Sequence, residues 1–225
     1  MKAVLISIRP YWVFLMIAQI MGWKIPQRKT VEIRKNYPKA EDWNKVAKIY
    51  CSKDKRSFSK IPIEYHPFME RFLGKVIGEF VCDRVYQYAS DMFRSAPVEG
   101  TDISTEDMTK LSCLTAKELY EYEHSTEPKE NCICLVGVYG WHISDLVIYD
   151  KPKKLRDFHT IDKHAVKQCA YRERACNNPD LTNGAFLPGS YVCMKSEIDW
   201  CSACKRKPII RPPQSWCYVE ELCNE

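Results

Sequence analysis

The first twenty-three residues constrain this chain most. Met1 to Trp23 is mostly apolar and has to be buried, yet Arg9-Pro10 divides it in two. Proline carries no amide hydrogen for a sheet ladder, so the break separates two elements. Val4 to Ile8 predicts a short buried strand. Tyr11 to Met21 predicts a buried helix with Trp12, Leu15, Met16 and Ile20 near one face and Gly22 as its stop. The uninterrupted run, Tyr11 to Met21, is far short of the roughly 20 residues a helix needs to cross a bilayer. No small-residue cleavage site follows it, so a cytoplasmic protein without membrane contact is expected.

Length and composition agree with a folded chain. The 225 residues suit one large domain or two small ones, and 45% hydrophobic with 28% charged residues is ordinary globular composition. The mean hydropathy of −0.40 argues against an integral membrane protein. Twelve cysteines in a reducing compartment point to metal or buried thiols before disulfides. The net charge of +5 is uneven. Lys151 to Arg211 holds thirteen basic residues against six acidic ones, so the remainder of the chain is slightly acidic. A local basic surface suits polyanions such as nucleic acid, or is simply a solvated face.

Further along, Lys29 to Lys35 alternates as a strand does, with Thr30, Glu32 and Arg34 on one side and Val31 and Ile33 on the other. Val46 to Cys51 is a second β-like run, and Ile63 to Leu73 predicts a short helix. Lys75 to Tyr88 predicts one long strand, with Gly78 as a bulge or barrel bend. Thr115 with Glu118 forms a capping box at the start of a short helix. Trp141 to Tyr149 and Ser215 to Glu220 return to strand character. Short strands scattered among short helices suggest an α+β domain built on a small barrel.

Several of these segments together resemble one family. Ser7-Ile-Arg-Pro-Tyr-Trp, a helix ending at Gly22, and then Arg28-Lys-Thr-Val-Glu-Ile-Arg is similar to the opening of an ASCH domain (activating signal cointegrator homology). Gly74 to Cys82 resembles that family's central strand, and Gly140-Trp-His-Ile-Ser its later Trp-His-Ile strand. The resemblance covers about 1–88, 139–158 and 212–221. It implies a PUA-like fold: a small β-barrel with flanking short helices, formed here by 1–158 plus 212–225 and interrupted by a Cys-rich basic insertion at 159–211. It also implies RNA or nucleotide as partner, bound in a cleft beside the first helix where Lys29, Glu32 and Arg34 would point.

The residues make chemical sense for that partner. Glu32 and Arg34 share a strand face, about 7 Å apart. Arginine forks onto phosphate or a base edge, lysine supplies a point charge, and glutamate accepts from an exocyclic amine. Arg9 belongs to the same candidate set, and Trp12 or Trp141 would stack on a base. A free imidazole changes charge near neutrality, so His142 could serve as acid or base, although the sequence shows no partner for it. The alternative for Glu32 and Arg34 is an internal ion pair bracing the barrel, and for Trp141 and His142 core packing.

Catalysis is the second reading. Some small bacterial ASCH proteins are amidohydrolases acting on N4-acetylcytidine, and they use a lysine with a threonine nucleophile three residues on. This chain has Lys29 followed by Glu32 at that place. Thr30 lies about 7 Å from it along the strand, too far to replace an attack that needs contact near ~3 Å. If the chain is a hydrolase, Lys29 and Glu32 would carry the chemistry, with Glu32 as base for a water. A third reading is a protein-interaction adaptor, with the barrel as scaffold.

The insertion carries its own motif. Cys201-Ser-Ala-Cys204 has zinc-knuckle spacing, and Cys169, Cys176 and Cys193 lie upstream with His159 and His164. Two of these could complete a tetrahedral structural zinc site, which would order a weakly periodic segment. Reduced cysteines without metal are the alternative. Cys132-x-Cys134 is a weaker motif. Lys205, Arg206, Lys207 and Arg211, with Lys151, Lys153, Lys154 and Arg156, would extend a nucleic-acid footprint.

Overall fold

The break at Arg9-Pro10 falls where the sequence predicts it, between strand β1 (Lys2–Ile8) and helix α1 (Pro10–Ile20). The computed structural model describes residues 2–25, 27–37, 43–89, 103–125, 137–161 and 206–221. In chain order the next elements are β2 (Val31–Arg34), β3 (Trp43–Cys51), α2 (Lys55–Phe58), a 3-10 turn at Ile63–Tyr65 and α3 (His66–Glu70). They are followed by β4 (Val76–Val81), β5 (Val85–Tyr88), α4 (Thr105–Ser112), α5 (Ala116–Glu123), β6 (Val138–His142) and β7 (Ser144–Lys153). The last three are β8 (Phe158–Ile161), β9 (Arg206–Pro208) and β10 (Trp216–Glu221).

These strands form two sheets. The larger has the order β7-β4-β3-β1-β10-β8-β9, and the smaller has β2-β6-β5. Among the described residues the β1–β3 pair is parallel and the other pairs are antiparallel. Among the described residues the strands do not close into the expected barrel. The reason is local. Lys75 to Tyr88, expected as one strand, is interrupted at Cys82–Arg84, where the Cys82 amide donates to the Lys45 carbonyl and its thiol to the Arg84 carbonyl. The chain before the break pairs with β3 and β7, and the chain after it pairs with β6. Trp141 to Tyr149 is divided in the same way at Ile143, whose amide donates to the Thr30 carbonyl. Each crossing hands the ladder from one sheet to the other.

Gly78 fulfils its expected role. The β4–β7 register shifts beside it, and an added Cβ would sit 2.2 Å from the Val147 carbonyl oxygen. Only a residue without a side chain permits that approach.

Three apolar clusters hold the layers together. Along β1, Val4, Ile6 and Ile8 pack on one side with α1, while Leu5 packs on the other with Tyr50, Val76, Phe158 and Val219. This period-2 division means that both faces of the large sheet are covered. Helix α1 is buried around most of its circumference, from Val13 to Ala18, which explains its unbroken apolar sequence. Of the face expected for it, Leu15 and Met16 are buried, Trp12 is half-buried and Ile20 is exposed. The third cluster joins Val31, Ile33 and Val138 of the small sheet to Met108 of α4 and Leu119 of α5. Each buried Leu, Ile, Val, Phe or Met side chain contributes about 1.5–3 kcal/mol before the entropy of ordering is set against it.

Helix α5 begins with the expected capping box. The Thr115 hydroxyl accepts from the Glu118 amide, and the Glu118 carboxylate accepts from the Thr115 amide. Helix α4 was not foreseen. The expected insertion begins and ends within the large sheet, because β8 pairs with β10 and β9. Cys169, Cys176, Cys193, Cys201 and Cys204, and with them the zinc reading, lie outside the described residues, as do Cys132 and Cys134. No helix is long and apolar enough to cross a membrane among the described residues.

Candidate functional site

Strand β2 is four residues long and all four are buried. It pairs with β6 so that Glu32 stands opposite Trp141, Arg34 opposite Tyr139, and Val31 opposite His142. Residues paired across an antiparallel ladder point to the same side, and neighbours along a strand to opposite sides. Glu32, Arg34 and Trp141 therefore face inward, toward α1 and β1. Val31, Ile33 and His142 face outward, where α4 and α5 cover the first two.

On the inner face the charges converge. The Glu32 carboxylate lies 3.1 Å from the Lys29 ammonium through Oε2 and 2.5 Å from the Arg34 guanidinium through Oε1. Side-chain exposures are 3% for Lys29, 4% for Glu32 and 11% for Arg34, so this is a buried ionic cluster with Arg34 at its wetter edge. Lys29 Nζ also donates to the Val31 carbonyl at 2.8 Å and the Ser112 carbonyl at 3.0 Å. Glu32 is its third neighbour, as an ion pair. Arg34 donates to the Ile33 carbonyl at 3.0 Å and to the Ser7 carbonyl of β1 at 2.6 Å. The guanidinium thus bridges the two sheets. Its Nε is buried with no hydrogen-bond partner among the described residues.

Burial alone raises a carboxyl pKa, but Lys29 and Arg34 outweigh it and hold Glu32 below its ordinary range. Glu32 is a carboxylate here, and two cations surround it. Among the described residues no second carboxylate pairs with either cation, so the cluster carries one positive charge in excess.

Aromatic side chains frame the cluster. Lys29 Nζ lies 5.2 Å from the centre of the half-buried Trp12 ring, a cation–π contact, and Tyr11 meets Trp12 edge-on at 5.1 Å. Tyr122 of α5 lies beside Arg34. Its ring carries Lys35 Nζ at 5.2 Å. Arg9, the residue before α1, is mostly exposed and pairs with Asp54 at 3.4 Å. Cys113, in the left-handed region at φ 61°, lies beside Lys29; burial pushes its thiol up and Lys29 pulls it back.

The candidate residues thus divide. Trp12, Lys29, Glu32 and Arg34 gather around one site, while Arg9 is held by Asp54. Trp141 stands on the same face but is fully buried, 6.2 Å from Trp216, with its ring inside the main core. His142 is on the opposite face. There its Nδ1 meets Asp83 Oδ1 at 2.6 Å, with side-chain exposures of 32% and 52%. The sequence offered no partner for His142; Asp83 lies 59 positions away and carries no motif. Tyr122, Ser112 and Cys113 were also missed. Tyr122 had a signal, since it follows Leu119 by three positions on the capped helix and so shares its inward face.

No family model matches the chain, and no curated protein matches it. Among solved structures the chain is similar to an ASCH protein from Zymomonas mobilis, with 14% identity and a TM-score of 0.38 over 97% of this chain and 88% of that one. A Tyr-to-Phe mutant of the same Zymomonas mobilis protein is similar at 12% identity and a TM-score of 0.37, over 98% of this chain and 91% of that one. Both are ASCH structures.

Proposed function

We propose that this chain binds RNA or a nucleotide at the cluster beneath Trp12. The observation that supports it is the buried Lys29–Glu32–Arg34 arrangement, in which two cations share one carboxylate beside a half-buried indole. An excess buried positive charge is costly unless an anion or a strong dipole meets it. Trp12 supplies a stacking surface, Arg9 and Arg34 supply phosphate or base-edge donors, and Glu32 supplies an acceptor. Lys29 acts mainly by holding Glu32 and by its charge, because it is tied to two carbonyls and buried.

Hydrolysis is the weaker reading. A carboxylate held below its usual range by two cations is a poor general base.

The test is fluorescence anisotropy with single-stranded RNA, hairpin RNA and duplex DNA across a salt series. Binding should weaken steeply as salt rises. Trp12→Ala should cost about 1–3 kcal/mol of RNA affinity through lost stacking. Absence of binding to every probe at low salt would refute the proposal.

A further inference from the structure

Given that this cluster is a binding site, the observations also indicate which part of a ligand it takes. We infer that the cluster receives an anionic phosphate group at Arg34 Nε, beside Tyr122, so that the ligand is a nucleotide or a nucleic-acid backbone and not a neutral nucleoside.

Three observations converge on that place. The first is donor accounting. Lys29 gives two hydrogen bonds to carbonyls and faces the Glu32 carboxylate, whereas Arg34 uses its two terminal nitrogens on Glu32, Ile33 and Ser7 and keeps Nε unpartnered and buried. A buried N–H without an acceptor is costly, more so on a charged group, so it marks a place where an acceptor belongs. The second is charge. The cluster has one cation in excess, and Arg34 is its most exposed member at 11%. The third is the neighbourhood. Tyr122 lies beside Arg34, and Lys35 lies over the Tyr122 ring at 5.2 Å. Burial pushes the Tyr122 hydroxyl above its ordinary range while Arg34 and Arg9 pull it down, so Tyr122 stays protonated at neutral pH and can donate.

A phosphate suits this set. It has several acceptor oxygens, and guanidinium and phenol donors approach it from different directions. A nucleoside has no anion to meet the excess charge. Tyr122 would then be a ligand-binding residue in addition to those the sequence suggested.

The experiment is isothermal titration calorimetry of the full chain with a nucleoside 5′-monophosphate, the matching nucleoside, and inorganic phosphate. The monophosphate should bind at least about tenfold more tightly than the nucleoside, with inorganic phosphate competing. Tyr122→Phe keeps the ring under Lys35 and removes only the hydroxyl. It should weaken the monophosphate about five- to tenfold and leave the nucleoside unchanged. Equal affinity for nucleoside and monophosphate, or a Tyr122→Phe protein that binds the monophosphate as the wild type does, would overturn the inference while leaving nucleoside or RNA binding intact. If neither these ligands nor single-stranded RNA bind the wild type, the binding reading itself fails. Circular dichroism of the variant separates a lost contact from a lost fold.

Discussion

Two carboxylates hold basic partners on opposite faces of one small sheet, and the environments differ in every respect that sets their strength. Glu32 is on the inner face, 4% exposed, between Lys29 and Arg34. Asp83 is on the outer side, 52% exposed, against His142 at 2.6 Å. The shorter-looking description, an acid beside a base, is the same for both. In the buried cluster, water has been replaced by fixed partners, and removing one leaves uncompensated charge. In the exposed pair, water takes over whatever is removed. The comparison teaches that burial, not contact distance, decides what each pair is worth.

The largest effect is expected from Glu32→Ala. It leaves Lys29 and Arg34 facing each other without their carboxylate, and should cost about 3–5 kcal/mol in urea unfolding. Next comes Gly140→Ala, which probes the outer face by crowding. Its Cβ would sit 2.7 Å from Val31 Cγ1 and 3.0 Å from Met108 Cε. The methionine tip can move and the β-branched valine on its strand cannot, so a loss of about 1–3 kcal/mol is expected. Asp83→Asn should cost only about 0.2–1 kcal/mol, and added salt should shrink the difference further. A loss for Asp83→Asn as large as that for Glu32→Ala would break the comparison.

Acid sharpens it. Folding holds the Glu32 carboxyl below its unfolded value of about 4.3. Its stabilisation is therefore complete above that value and is lost as pH falls toward the folded one. The Asp83 carboxyl is lowered chiefly by its hydrogen bond from His142, so it acts with the same sign. Unfolding free energy measured from about pH 6 down to about pH 3 should fall with pH in the wild type. Glu32→Gln should flatten that slope more than Asp83→Asn does.

Much of the inner face was legible in the sequence because period-2 alternation and the Pro10 break are local signals. Glu32 and Arg34 share one face of β2, as the alternation predicts, while Lys29 reaches them from just before the strand. Their burial was not legible, since it depends on Ser7 of β1 and Ser112 of α4 arriving from far away in the chain. The Trp141-His142 dipeptide shows the same limit. One residue enters the core and the next meets Asp83, and nothing in the pair of letters says which. The strand from Lys75 to Tyr88 was read as continuous because its apolar pattern hardly falters. The interruption at Cys82–Arg84 is imposed by a tertiary hydrogen bond from the Cys82 amide to Lys45. Helix α4 is polar and short, so hydrophobic periodicity passes over it. Its cap was readable all the same, because the Ser104 hydroxyl accepts from the Asp107 amide three residues on.

The central claim is that the buried cluster holds a positive charge in excess for an anionic ligand. The most direct test is the thermal unfolding midpoint of the wild type against rising concentrations of a nucleoside monophosphate. A ligand that binds only the folded chain should raise it progressively, by about 5–10 °C at a hundred times Kd, while the neutral nucleoside raises it much less. A midpoint that stays fixed at every monophosphate concentration would contradict the account and leave Lys29, Glu32 and Arg34 as a brace between the two sheets.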